Sequence, residues 1–143
     1  MPPYKIPSRV KFRKEFRRTS RVNRNATGGN YVAYGDFGLQ ALSSCWLRSN
    51  CIEAGRVAAQ HFLKREGKLF IRVFPDKPIS KKPLETRMGT GKADVDYWAA
   101  RVKAGTILFE ITGVSEDTAK RAFARVAMKM PIRCRFVARR VAV

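Results

Sequence analysis

The sequence predicts an α+β fold in which two α-helices pack on a mostly antiparallel β-sheet. Two segments, 50–66 and 116–130, carry apolar side chains at the spacing of amphipathic helices. Shorter segments with alternating apolar side chains surround them, often two in succession, which argues against a strict strand–helix–strand repeat. Hydrophobic residues make up 45% of the 143 positions, so the chain can bury one core.

The chain divides near Gly28 and Gly29 into a basic extended arm, residues 1–30, and a single globular α+β domain, residues 31–143. The arm holds nine basic residues and a single acid, Glu15, which gives it a formal charge of +8. Such a block, with almost no hydrophobic periodicity, is typical of an arm that orders on its partner. An organellar transit peptide is the alternative interpretation, because it is also rich in arginine and poor in acids.

The first elements of the domain are a short strand and a helix. Residues 31–34 are the strand candidate, and the glycines that follow indicate a turn. The helix over 50–66 is expected to begin with Asn50 as its cap. Glu53 follows three positions later, as in a capping box. A glycine then ends this helix.

A strand and a long loop follow the first helix. Alternating apolar side chains predict a strand over 68–74. Residues 75–93 contain prolines and glycines at irregular spacing, which predicts a long Pro/Gly loop. A loop of this length inside a compact domain is usually functional or disordered.

The remaining elements are a hairpin, a second helix and a last strand. Residues 95–103 and 106–111 are expected to pair with each other across a tight turn. Ser115 caps the second helix, two acids lie in its first turn, and Pro131 ends it. The strand over 132–138 alternates apolar residues with two arginines, so we expect those arginines to point outward from a sheet edge.

The charge of the chain points to a polyanionic partner. Thirty Lys and Arg against eleven Asp and Glu leave a formal charge of +19 and a pI near 10.8. Charges at this density repel one another unless a polyanion such as nucleic acid neutralises them. The basic residues recur on every predicted element, which is typical of a protein embedded in RNA. A membrane surface is the rival partner, but no segment shows the long amphipathic basic helix that it would need, and no membrane insertion is expected.

The sequence predicts no catalytic site, cofactor or metal. The single histidine, His61, lies ten positions after Cys51 in the same predicted helix, about 15 Å away along its axis. Three irregularly spaced cysteines are neither a disulfide framework nor a zinc site. Residues 89–92 contain a glycine-rich turn but lack the flanking residues of a phosphate-binding loop. An RNA-processing enzyme is therefore disfavoured.

A family resemblance sharpens this interpretation. Residues 67–79 read Gly-Lys-Leu-Phe-Ile-Arg-Val-Phe-Pro-Asp-Lys-Pro-Ile, and residues 83–92 read Pro-Leu-Glu-Thr-Arg-Met-Gly-Thr-Gly-Lys. This stretch resembles the signature of the bacterial-type large-subunit ribosomal protein family L-sixteen. Residues 7–14, 96–98 and 105–110 also resemble that family. The resemblance covers nearly the whole chain and favours an RNA-binding arm over a transit peptide.

The resemblance implies a structural, non-enzymatic constituent of the large ribosomal subunit. Members of the family bind large-subunit rRNA near the base of the central protuberance. They support A-site tRNA close to the peptidyl transferase centre. The expected partners are large-subunit rRNA, A-site tRNA and neighbouring large-subunit ribosomal proteins, with the chain a monomer within the ribosome. The alternative is a free-standing RNA-binding protein or chaperone outside the ribosome.

Two sets of binding residues are predicted. The first is expected to contact rRNA through positive charge on the arm, helices and strands: Lys5, Arg9, Lys11, Arg13, Lys14, Arg17, Arg18, Arg21, Arg24, Arg56, Lys64, Arg65, Lys68, Arg72, Arg133 and Arg135. The second is placed by the resemblance on a loop near the tRNA and the peptidyl transferase centre: Lys77, Lys81, Lys82, Arg87, Met88, Gly89 and Lys92.

Some positions depart from the family pattern. Asn50, Val57 and His61 stand where the family usually carries more arginines, and residues 15–30 lack its usual Lys-Gly-Arg pattern. These departures favour an organellar ribosome. The predicted compartment is the mitochondrion, with the plastid or the bacterial cytoplasm as alternatives.

Overall fold

The structure is a computed structural model that describes residues 6–19 and 22–140. Two predicted rRNA contacts, Lys5 and Arg21, lie outside the described residues. The strands are β1 (Phe37–Ala41), β2 (Cys45–Arg48), β3 (Lys68–Ile71), β4 (Lys77–Ser80), β5 (Val95–Val102), β6 (Ile107–Thr112) and β7 (Cys134–Ala138), and the helices are α1 (Ser49–Phe62) and α2 (Glu116–Ala127).

The strands form two antiparallel sheets. One has the order β3-β6-β1-β7, and the other has the order β2-β5-β4. The predicted α+β class, with mostly antiparallel strands and two helices, is confirmed. In the part of the chain that the structure describes, neither helix is both long and apolar enough to cross a membrane.

The predicted hairpin between β5 and β6 is wrong, because the two strands lie in different sheets. β5 pairs with β2 and β4, whereas β6 pairs with β1 and β3. The chain crosses between the sheets at Gly105, whose φ is +94° and whose N–H donates to Ala41 O at 2.7 Å. Both strands are central in their sheets, and alternation of apolar residues alone does not identify a strand's neighbours.

The first strand lies further along the chain than the sequence suggested. Residues 31–34 are not a strand, and β1 runs through Gly38, one of the two glycines that were interpreted as a turn, whereas Gly35 lies in a bend before the strand. A Cβ added at Gly38 would lie 2.8 Å from Val32 Cγ2. The glycine is therefore present because the segment around Val32 packs closely on β1, and not because the chain turns there.

The ends of the helices also differ from the predictions. α1 begins at Ser49 rather than Asn50, and Glu53 pairs with Arg56 instead of closing a capping box. It ends at Phe62, before the predicted residue 66. In α2 the predicted cap is confirmed, because Ser115 Oγ accepts a hydrogen bond from the Thr118 N–H at 3.4 Å. This helix ends at Ala127, before the predicted stop at the proline.

The predicted strand over 68–74 and the predicted loop over 75–93 need smaller corrections. β3 ends at Ile71, three residues before the predicted end of its strand. β4 interrupts the predicted loop over 75–93, so that the long segment with neither helix nor strand is residues 81–94, and a shorter one, residues 72–76, precedes β4. Lys77, which was placed on the loop, is the first residue of β4.

One hydrophobic core joins both sheets to both helices. Leu39 and Phe109 come from the first sheet, Leu47 from the second, and Phe123 from α2. α1 approaches this core through Gly55, where an added Cβ would lie 2.9 Å from both Phe109 Cζ and Met130 Cε. The absence of a side chain at this position therefore sets the distance between α1 and its neighbours.

We predict that Gly55→Ala destabilises the protein. Crowding in a packed core lowers the free energy of unfolding by about 1–3 kcal/mol, and the better helix propensity of alanine offsets about 1 kcal/mol of this loss. We expect a net loss of about 1 kcal/mol in the free energy of unfolding, measured by urea titration. Gly28→Ala is the matched control, because an added Cβ there has no atom within 4 Å. A Gly55→Ala protein as stable as the Gly28→Ala control would contradict the close packing.

Candidate nucleic-acid interface

A buried carboxylate organises the first sheet. Glu110 in β6 is 0% exposed. Its oxygens accept hydrogen bonds from the backbone N–H groups of Ala33 at 3.2 Å, Tyr34 at 2.6 Å and Gly35 at 2.7 Å. The Arg72 guanidinium completes the set as an ion pair. The carboxylate thereby fastens the segment that leads into β1 onto β6.

These donors keep Glu110 ionised. Burial acts to raise the pKa of its carboxyl, but the three backbone N–H groups and Arg72 outweigh it, so that the pKa lies below the ordinary value of 4.5. Arg72 also lies over the Tyr34 ring, 4.9 Å from its centroid. Arg72 was predicted to contact rRNA, and its guanidinium is committed to partners inside the protein.

The N-terminal segment and the residue 81–94 loop meet at an arm–loop junction, formed by residues 14–16 with Lys92 and Asp94. Lys14 Nζ donates to Lys92 O at 3.2 Å and forms an ion pair with Asp94 at 3.3 Å. In the opposite direction, Lys92 Nζ donates to Glu15 O at 2.5 Å and lies 5.2 Å from the Phe16 ring centroid. Two of the predicted RNA contacts, Lys14 and Lys92, thus hold the arm and the loop together.

Lys77 anchors the same part of the arm from the second sheet. Its Nζ donates to Phe16 O at 2.6 Å, lies 3.4 Å from Glu15 Oε2, and is 5.0 Å from the Trp46 ring centroid. The residue is only 3% exposed, because it begins β4 and points into this contact. Lys77 was expected among the loop residues near tRNA, and the structure instead places it beneath the arm.

The tip of the loop, residues 87–91, is exposed. Met88 is 100% exposed, and Cβ atoms added at Gly89 and Gly91 would have no atom within 4 Å. Both glycines have positive φ, as does Thr90 between them. Lys82 Nζ donates to Gly89 O at 2.5 Å and so holds the tip from the preceding part of the loop. Arg87 therefore lies at the protein surface, on an exposed turn that contains three residues with positive φ.

A buried amide orients one arginine at the sheet edge. Gln40 in β1 donates through Nε2 to Gly105 O at 2.7 Å and Asn30 O at 3.3 Å. Its Oε1 accepts from Arg135 Nε at 2.7 Å. Arg135 is exposed on β7, an edge strand, as the sequence predicted. Because only Nε is engaged by Gln40, the two terminal nitrogens are available for an anion.

The other predicted contacts fall into two groups. Arg56 and Lys82 are half-buried, and Arg56 forms an ion pair with Glu53. The remaining predicted basic contacts that the structure describes are exposed: Arg9, Lys11, Arg13, Lys14, Arg17, Arg18, Arg24, Lys64, Arg65, Lys68, Lys81, Arg87, Lys92, Arg133 and Arg135. These cations lie on the arm, beside α1, on β3, on the loop and along β7.

Two important polar residues were missed by the sequence analysis. Glu110 interrupts the apolar run of β6, and an acid inside such a run is a signal for a buried, fully hydrogen-bonded carboxylate. Gln40 gives a weaker signal, because its partners Asn30, Gly105 and Arg135 are distant in sequence. Its role follows only from the three-dimensional contacts.

The described residues offer little for covalent or metal chemistry. Residues 6–19 and 22–140 hold no group of three or more His, Cys, Asp or Glu arranged to bind a metal. The cysteines are free thiols. Burial, with smaller contributions from Cys134 and Cys51, raises the pKa of Cys45 to about 11, and burial raises that of Cys134 to about 11. Neutral thiols of this kind are poor nucleophiles.

Comparison with known proteins gives two findings. A model of the family described as ribosomal protein L16p/L10e matches residues 7–137. A protein of Rhodopirellula baltica named large ribosomal subunit protein uL16 is 55% identical over 137 residues. The alignment covers 96% of this chain and 98% of that relative. The similarity therefore includes the arm, the loop and both sheets.

We predict that Glu110→Gln destabilises the fold by about 3 kcal/mol at neutral pH, because Arg72 then keeps a charge without its counter-ion. The lowered pKa of Glu110 contributes stability above the ordinary value of 4.5, and this contribution is lost as pH falls through the folded-state value. Urea unfolding at several pH values should therefore show a shallower acid loss of stability in the variant than in the wild type.

Glu116→Gln is the control for that experiment. Glu116 is exposed and forms an i,i+4 ion pair with Lys120 at 2.7 Å. Surface pairs of this kind contribute little to stability, because water and salt screen the two charges. An acid dependence of Glu110→Gln that matched the wild type would contradict the role of the carboxylate.

Proposed function

The chain belongs to the ribosomal protein L16p/L10e family, and from that membership we propose that it binds large-subunit rRNA near the base of the central protuberance and supports A-site tRNA close to the peptidyl transferase centre. It is a structural protein of the large ribosomal subunit and not an enzyme. The resemblance predicted from the sequence is thereby confirmed.

The observation that carries the proposal is the distribution of exposed cations. Arm, loop and β7 each present lysines or arginines, while the chain as a whole has a formal charge of +19. Each phosphate that such residues neutralise releases condensed counterions, which favours binding. Exposed cations on several separate elements suit a protein that RNA contacts from several directions.

We assign the arm and β7 to rRNA. The arm offers several exposed cations, among them Arg9, Arg13 and Arg17. On β7, Arg135 offers a guanidinium that Gln40 already orients, so little side-chain entropy is lost when a phosphate binds. Arg133 directly precedes β7 and is also exposed.

We assign the loop tip to tRNA. Arg87 is exposed, and the glycines beside it leave room for a sugar–phosphate backbone to approach the main chain. The braces at Lys82 and Lys92 set the position of the tip before binding. Because Lys77 and Arg72 are already committed inside the protein, we exclude them from the proposed RNA contacts.

The compartment is a separate proposal. We propose the mitochondrial ribosome, on the basis of the departures from the family pattern in the arm and in α1. The relative that is 55% identical comes from Rhodopirellula baltica and carries the bacterial type of the protein. The bacterial cytoplasm and the plastid are therefore alternatives that the same experiment must separate.

The experiment that tests the ribosomal role is sucrose-gradient sedimentation of a lysate from the source cell. At roughly 0.5 M salt, loose electrostatic binders lose about 10³-fold or more in affinity, whereas a protein locked into folded rRNA remains. We expect the chain to sediment with the large subunit, detected by mass spectrometry. Recovery at the top of the gradient would support a free-standing RNA-binding protein or chaperone. Where the cell has organelles, fractionating them first identifies the compartment.

We predict that Arg87→Ala leaves incorporation into the subunit unchanged and weakens A-site tRNA binding about fivefold, corresponding to about 1 kcal/mol for a solvated charged contact. Filter binding of tRNA to reconstituted ribosomes measures the second effect. Arg121→Ala is the matched control, because Arg121 is exposed on α2 and lies in neither predicted contact set. Failed incorporation with normal tRNA binding would contradict the assignment of the loop.

A further inference from the structure

We propose that the N-terminal segment and the second sheet together form a binding site for one unstacked RNA base. A cleft of about 290 Å³ lies between them. Its aromatic lining comes from Phe12, Phe16 and Trp46, and its cations include Arg18, Lys77 and Arg101. The inference rests on the proposed RNA binding and names the part of the RNA that this surface contacts.

The aromatic rings are the first argument. Phe12 is 69% exposed and Phe16 is 75% exposed. Single exposed apolar residues are common on protein surfaces, but these two share one cleft with a tryptophan. Stacking on a base covers such rings and contributes about 1–3 kcal/mol for each base.

Preorganisation is the second argument. Lys77 donates to Phe16 O at 2.6 Å, and Lys92 donates to Glu15 O at 2.5 Å. Lys92 also lies 5.2 Å from the Phe16 ring centroid, and Lys11 lies 5.6 Å from that of Phe12. The main chain at residues 15 and 16 is thus held in place without burying the ring. A ring positioned in advance loses less entropy when its ligand binds.

The charge of the cleft selects the class of ligand. Lys14, Arg18 and Arg101 line it together with the aromatic rings. Two of these cations also pair with acids outside the lining, Lys14 with Asp94 at 3.3 Å and Arg101 with Asp76 at 2.6 Å. The acid in the lining, Glu15, faces the Lys77 ammonium at 3.4 Å, which offsets its charge. An RNA base is a flat, uncharged ring system flanked by phosphates. The base can stack on the aromatic rings while the phosphates contact the cations. A free phosphate would leave the rings uncovered, and a duplex would keep its bases stacked and out of reach.

The test compares RNA with and without bases. Fluorescence anisotropy is measured at about 0.15 M salt with a labelled oligoadenylate of about 12 nucleotides and with an abasic strand of the same length. We expect Phe16→Ala to weaken binding of oligoadenylate about fivefold or more, and to change binding of the abasic strand by less than about twofold. Phe16→Tyr keeps an aromatic face and should restore the affinity. Phe12→Ala should show the same selectivity for bases.

Controls separate stacking from a general effect. Val57→Ala removes an exposed apolar side chain from α1, which does not line this cleft, and it should leave both affinities unchanged. An equal loss on both strands would overturn the proposal, because the ring would then only hold the cations of the arm. No loss on either strand would overturn it as well. The ribosomal role is decided separately, by the sedimentation of the wild-type chain.

Discussion

The ionised carboxylate of Glu110 is the constraint on which the first sheet depends. A charge buried to this extent is stable only when hydrogen bonds and an opposite charge replace its water. Residues 33–35 supply three N–H groups, and Arg72, just after β3, supplies the counter-charge. The carboxylate therefore joins β6 to the segments that flank it on both sides. β1 begins shortly after residues 33–35, and β7 pairs with β1 in the antiparallel direction.

The cations of the arm and loop also stabilise the fold, although the chain has few acids with which they can pair. Eleven acids face thirty basic residues in the sequence. Main-chain carbonyl oxygens serve as additional acceptors, as shown by Lys14, Lys77, Lys82 and Lys92, each of which donates to one. The protein thus uses part of its positive charge internally and leaves the rest exposed. Charge alone does not reveal which lysine belongs to which group.

The sequence predicted those features that local patterns determine. The helix cap at Ser115 was correct because capping involves only neighbouring residues. The class of fold was also correct, since the spacing of apolar residues distinguishes helices from strands. The pairing of β5 with β6 was wrong because the choice of strand partners depends on the whole core. The burial of Lys77 and the contacts of Gln40 were not predicted, because both depend on residues at least ten positions away in sequence.

The way in which the arm is fastened has an evolutionary consequence. Lys77 and Lys92 grip Phe16 and Glu15 by their carbonyl oxygens, and every amino acid provides such an oxygen. These two hydrogen bonds therefore do not depend on the side chains of residues 15 and 16, whereas the contacts of Lys77 with the Glu15 carboxylate and of Lys92 with the Phe16 ring do. Mutations at these two positions keep the carbonyl hydrogen bonds while altering what the arm displays. These two positions are thus ones at which new surface chemistry can be acquired while the main chain of the arm stays attached.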